Sequence, residues 1–137
     1  MSKPVAKPGA SAILDLFGRR KVVIGVVHCL ALPGAPDHDG RPMDEIVARA
    51  IGDAEAYRAA GVDGLIVENH GDIPFAKPED IGPETSAAMA VITARVRAAT
   101  GLPVGINVLA NAALPALAVA AAAGGAFVRV NQWANAY

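Results

Sequence analysis

Four short apolar runs, separated by stretches of helical period and glycine stops, constrain the fold of this chain more than any other feature. Val22–His28 is a continuous β-branched run, and Leu65–Asn69, Val104–Leu109 and Phe127–Asn131 are the other three strand-length apolar segments. That is the pattern of strands covered on both faces in a parallel sheet. Between the first two, Asp44–Ala60 sets Ile46, Val47, Ala50, Ile51, Ala54 and Tyr57 at helical spacing. Pro83–Ala99 opens on a proline suited to a first helical position and carries Met89, Ile92 and Val96 as its stripe. An Ala-rich helix starts at Asn111 or a neighbour and runs to Ala123, with Pro115 tolerable only near its first turn. Gly61, Gly101 and the pair Gly124–Gly125 end the three helices. Ahead of them, Ser11 caps a short helix through Phe17 that stops at Gly18. The order β-α-β-α-β-α-β predicts an α/β fold with a parallel sheet. Residues 59–69 and 122–131 echo each other as helix stop, glycine turn and strand ending in Asn, which suggests a repeated βα unit.

A length of 137 residues suits one domain with a sizeable core. With 53% hydrophobic and 18% charged residues, a disordered chain is excluded. Aromatics are only 4%, so the core must be aliphatic. A net charge of −1 without a basic run argues against nucleic-acid binding by phosphate neutralisation. The single cysteine, Cys29, rules out an intrachain disulfide and fits a reducing cytosol. It reads as a small buried hydrophobe before a reactive thiol. Residues 1–10 form a loose Lys-, Pro- and Gly-bearing tail without the apolar core of a signal peptide. The stretch Ala112–Val128 is too short, too Ala-rich and too interrupted for a membrane span. The expectation is a soluble, cytoplasmic protein whose half-barrel form favours homo-oligomers.

Loop lengths sharpen the fold class. Helix-to-strand connections are short, whereas Cys29–Met43 and His70–Gly82 after the first two strands are long. Long loops at the C-terminal ends of parallel strands are where (β/α)8 barrels bind and react. A Rossmann domain would need Gly-x-Gly-x-x-Gly after its first strand, and Leu32-Pro33-Gly34-Ala35-Pro36 is not that. No Walker A lysine motif is present either.

The segments VIGVVHCLALPGAP, AGVDGLIVENHGDIPF, PETSAAMAVI, LPVGINVLAN and FVRVN, in order from about Lys21 onward, resemble the BtpA/SgcQ family of TIM-barrel proteins. The resemblance implies a barrel near the ribulose-phosphate-binding type. It also implies the indirect roles proposed for that family, photosystem I biogenesis and sugar-operon association. A full barrel takes about 250 residues, so residues 11–137 are expected to be its N-terminal half, about four strands. Truncation is the first explanation; an incomplete product and a dimerising half-barrel are the others. In related barrels a phosphate sits on loops after strands seven and eight, which this sequence does not supply.

The candidate chemistry clusters at strand ends. Glu68 should face the barrel axis with Ile66 and Gly64, because a carboxylate is costly against the helix layer. A buried carboxylate suits proton transfer, and a nearby cation keeps such a group charged; a structural ion pair is the plainer reading. Alternation puts Phe127, Arg129 and Asn131 on one face, and strands two and four should share a layer. Glu68 is therefore expected to approach Arg129 or Asn131, although Arg129 could equally be a charge on a terminal strand. Asn107 and His28, on strands three and one, are expected to share a second layer. Asn107 would donate to a substrate oxygen, and His28 would be an acid, base or ligand, or else a satisfied structural histidine.

Asn69 and Asp72 are further substrate-binding candidates. Asp37, His38, Asp39, His70 and Asp72 lie in the two long loops and with Glu68 could hold a divalent ion. Their spacing matches no strong metal motif, so solvated polar loops are the primary expectation, with His70 and Asp72 the weak metal candidates and the cofactor unassigned. Asp72-Ile73-Pro74-Phe75 reads equally as a turn that docks Phe75, and Glu84 as a helix-dipole charge. Three functions are compatible with these residues. One is an enzyme acting on a small polar metabolite, sugar-phosphate-like or nucleoside-like, with Glu68 as acid/base. The others are a non-catalytic assembly factor and a half-barrel inactive by itself.

Overall fold

The computed structural model describes residues 11–132, so the tail expected over residues 1–10 lies outside the described residues. Helix α1 (Ala12–Phe17) is capped as expected: Ser11 Oγ accepts from the Leu14 N–H, and Gly18 closes the helix at φ 73°. Strand β1 (Ile24–His28) is followed by α2 (Met43–Ala59), and β2 (Gly64–Glu68) by a 3₁₀ turn at Pro78–Asp80 and α3 (Pro83–Thr100). Strand β3 (Val104–Asn107), α4 (Ala113–Ala123) and β4 (Phe127–Val128) complete the described chain. The strands form one sheet in the order β1-β2-β3-β4. All three pairings are parallel, and the fold is half of a TIM-type barrel.

Three strands are shorter than their apolar runs; β1 begins at Ile24 rather than Val22. β3 stops at Asn107 rather than Leu109, because the Leu109 N–H turns to the Asn69 side chain. β4 covers two residues rather than five, although the Arg129 N–H continues the ladder to Ile106 O at 2.9 Å.

Val27, Leu65, Val67, Val104 and Ile106 point to the helices and have no exposed surface. They pack with Ile46, Ala54, Met89, Ile92, Val96 and Ala116, which are fully buried on α2, α3 and α4. Each large side chain buried there contributes about 1.5–3 kcal/mol. A Cβ on Gly25 would lie 2.6 Å from the Tyr57 ring, so glycine lets α2 approach β1 closely. On the other face, Val26, Ile66 and Gly105 lie level with one another. The Phe17 ring of α1 rests against Gly64 and meets Phe127 edge-on, with centroids 6.1 Å apart. Helix α1 thus covers the N-terminal end of the axis-facing side and leaves its C-terminal end open. No described helix is long and apolar enough to cross a membrane.

Candidate functional site

The parallel register brings four polar side chains into one row. His28 pairs with Glu68, and Glu68 with Asn107. The β3–β4 register, extended by one residue, sets Arg129 beside Asn107. Glu68 is 5% exposed and sits in the middle. Its Oε2 accepts from Asn107 Nδ2 at 2.7 Å and lies 3.8 Å from Arg129 Nη1. Its Oε1 faces His28 Nε2 at 3.5 Å. The carboxylate thus has one oxygen anchored and the other turned toward an imidazole. The approach of Arg129 to Glu68 follows the expected alternation. The expected division into two layers is replaced by a single row, because hydrogen-bond register aligns neighbouring strands directly.

Asn107 has no exposed surface, and its Oδ1 has no hydrogen-bond partner among the described residues. An acceptor left in that state costs about 1–3 kcal/mol. Such a deficit at a strand end is the kind that a ligand donor relieves. Asn131 is exposed beyond Arg129 at the rim.

The loops above the row are fastened by Asn69 and Asp72. Asn69 Oδ1 accepts from Leu109 N at 2.7 Å, and its Nδ2 donates to Leu109 O and to Asp72 Oδ2. Asp72 Oδ1 accepts from Leu32 N at 2.8 Å. These two buried side chains therefore tie the loop after β2 to those after β1 and β3. Backbone bonds from Cys29 N to Glu68 O and from Gly71 N to Cys29 O reinforce the join. A Cβ on Gly71 would lie 2.5 Å from Ala31 N, so only glycine fits there.

This junction delivers His70 to the row. Its ring stacks on His28 with centroids 4.2 Å apart and planes 14° from parallel, and Phe75 packs against it edge-on at 6.4 Å. Among the described residues, His28, Glu68 and His70 form a group of metal-ligand type, with donor atoms within 4.8 Å of one another. The other loop residues stay apart. Asp39 is exposed and paired with Arg41 at 2.7 Å, which holds its carboxyl well below the usual range. His38 Nδ1 lies 3.1 Å from Ala31 O. Asp72, the other weak metal candidate, has both oxygens engaged in the loop junction.

Cys29 is buried, and burial first, then the Asp72 charge, pushes its thiol up to about 12. It is protonated and inert at neutral pH. Sequence reasoning placed Tyr57 only in a helix stripe. Its hydroxyl donates to Val26 O at 3.2 Å on the outer edge of β1, and its ring lines a groove beside His28 with Arg49 and Asp53. The only sequence signal for this was Gly25, the residue that admits the ring.

Residues 19–137 match the model of the BtpA family. An uncharacterized protein of Archaeoglobus fulgidus is 49% identical over 112 residues, covering 82% of this chain and 44% of that protein. An uncharacterized protein of Pyrococcus furiosus is 44% identical over 119 residues, covering 85% and 44%. The photosystem I biogenesis protein BtpA of Synechocystis is 43% identical over 119 residues, covering 87% of this chain and 41% of that protein. No solved structure matches the chain. The chain spans less than half the length of these curated relatives. It belongs to the BtpA family.

Proposed function

From its place in that family and from the row of strand-end side chains, we propose that the chain carries part of the reaction centre of a TIM-barrel enzyme. The substrate class is a small polar metabolite, sugar-phosphate-like or nucleoside-like. The observation that carries this reading is Glu68, buried yet with one oxygen open, held between Asn107 and His28. A carboxylate fixed on one side presents its other oxygen in a single direction, as general acid–base work requires. Glu68 gives or takes the proton, and His28 lies within reach to relay it. Asn107 Oδ1 accepts from a substrate hydroxyl, while Arg129 and Asn131 meet an anionic or carbonyl oxygen at the rim. Asn69 and Asp72 act in the loops above the row: their bonds to Leu109 and Leu32 favour holding the loops over direct substrate contact.

The test is metabolite profiling. Purified protein is incubated with a small-molecule extract, and consumption is followed by mass spectrometry for the wild type and for Glu68→Gln. A compound consumed by the wild type and spared by the variant supports the reading. Equal consumption by both overturns the role of Glu68.

A second reading, an assembly factor without catalysis, is favoured by the name of the Synechocystis relative. In a cyanobacterial strain lacking that relative, restoration of photosystem I by this chain and equally by its Glu68→Gln, Asn107→Ala variant would support it. Restoration by the unaltered chain alone would support the enzyme.

A further inference from the structure

We propose that His28, Glu68 and His70 form a binding site for a divalent transition-metal ion of the zinc type, with Zn²⁺ the probe that defines it. The inference rests on the reading of the row as a reaction centre but gives Glu68 Oε1 and His28 to the metal instead of to proton transfer; metal binding is measured without turnover, so the two can fail separately.

Three observations converge on these residues. The first is proximity. Imidazoles from the end of β1 and from the loop after β2 stand beside one carboxylate, with all donor atoms within 4.8 Å. Zinc–ligand bonds of about 2.0–2.2 Å set neighbouring donors roughly 3–3.5 Å apart. The 3.5 Å separation of His28 Nε2 from Glu68 Oε1 already meets that spacing. The rest needs a shift of about an ångström by rings on exposed residues.

The second is the division of labour on Glu68. Asn107 donates to Oε2 and Arg129 lies 3.8 Å from it, so Oε1 is the oxygen turned toward His28. An outer layer that orients a ligating carboxylate in this way is a regular part of metal sites.

The third is the stack itself. Two near-parallel imidazoles on exposed residues stand with centroids 4.2 Å apart. Their shared neighbour is the carboxylate. The loop that brings His70 there is fixed through Gly71 and Asp72 rather than through the ring.

The donor set decides the class of ion. Two imidazoles and one carboxylate suit zinc and neighbouring transition metals, whereas Mg²⁺ and Ca²⁺ prefer all-oxygen sets. Three protein ligands would leave a coordination position for water or a substrate oxygen.

Metal-free protein is titrated with ZnCl₂ by isothermal calorimetry, and bound metal is counted by plasma mass spectrometry. The expected result is one Zn²⁺ per chain, unaffected by millimolar Mg²⁺. Binding should weaken at least tenfold in His28→Ala, in His70→Ala and in Glu68→Gln, and stay unchanged in Asp39→Asn. Circular dichroism checks the fold of each variant; His28 and His70 are exposed, so their loss should leave it intact. No zinc binding, or binding insensitive to both histidine substitutions, overturns the site. If zinc does not bind but Glu68→Gln still abolishes metabolite consumption, the metal is refuted and the acid–base role stands.

Discussion

On the helix-facing side of the sheet, Val27, Leu65, Val67, Val104 and Ile106 are wholly buried among aliphatic side chains. On the other side the same strands, and the residue after β4, present His28, Glu68, Asn107 and Arg129 in one row. The two sets alternate along a backbone only a few residues long, so each strand serves both. The first set excludes water and supplies the stability. The second leaves a buried carboxylate beside a half-satisfied amide, an arrangement that lowers stability and that proteins retain where there is chemistry to do. What the contrast teaches is that a substitution one residue along a strand changes which property is lost.

The sharpest way to break this comparison is a pair of substitutions close in space. Glu68→Gln should lower turnover at least about 100-fold, the scale of general acid–base catalysis, while leaving the urea midpoint nearly unchanged. Ile106→Ala, on the helix-facing side of the neighbouring strand, should lose about 2–5 kcal/mol in urea unfolding. If Glu68→Gln unfolds the protein, or Ile106→Ala costs it nothing, the assignment of roles to the two faces fails.

A smaller effect is expected at the loop junction. Gly71→Ala forces a methyl group against the Ala31 backbone, and overpacking of this kind costs about 1–3 kcal/mol. Because Gly71 follows His70, zinc affinity should fall with it. A fully stable Gly71→Ala with wild-type zinc affinity would mean that the junction does not position His70.

The smallest effect concerns Cys29, which faces the core at the end of β1. Its folded-state value of about 12 stands above the ordinary 9.0, so the protonated thiol favours the folded state. That contribution is fully present below pH 9 and is lost as pH rises from 9 toward 12. Cys29→Ala should therefore lose stability less steeply than the wild type across that window. Urea titrations at several alkaline pH values measure it, and identical slopes would show that the thiol is not buried as described. At neutral pH, iodoacetamide should label Cys29 only after unfolding.

Much of this architecture was readable in the linear chain. Ser11 and Gly18 bounded α1, and Pro83 and Gly101 bounded α3, because capping and left-handed φ are local properties. The inward direction of Glu68 followed from the period of two in a strand and from the cost of a charge against helices. The approach of Arg129 to Glu68 followed from the same period. The loops were less legible. Among Asp37, His38, Asp39, His70 and Asp72, nothing in spacing distinguished the residue that joins the row, His70, from Asp72, which fastens the loop instead.

By itself, then, the sequence determined the order of elements, the parallel α/β class, the aliphatic core and the face on which Glu68 lies. These depend on periodicity, propensity and caps, which act over a few residues. Only the tertiary structure decided that four strand ends form one row and that His70 stacks on His28. Those outcomes depend on strand register and on bonds such as Asn69–Leu109 and Asp72–Leu32, each joining residues 40 positions apart. Such contacts have no local signature, because their geometry exists only once the strands have paired.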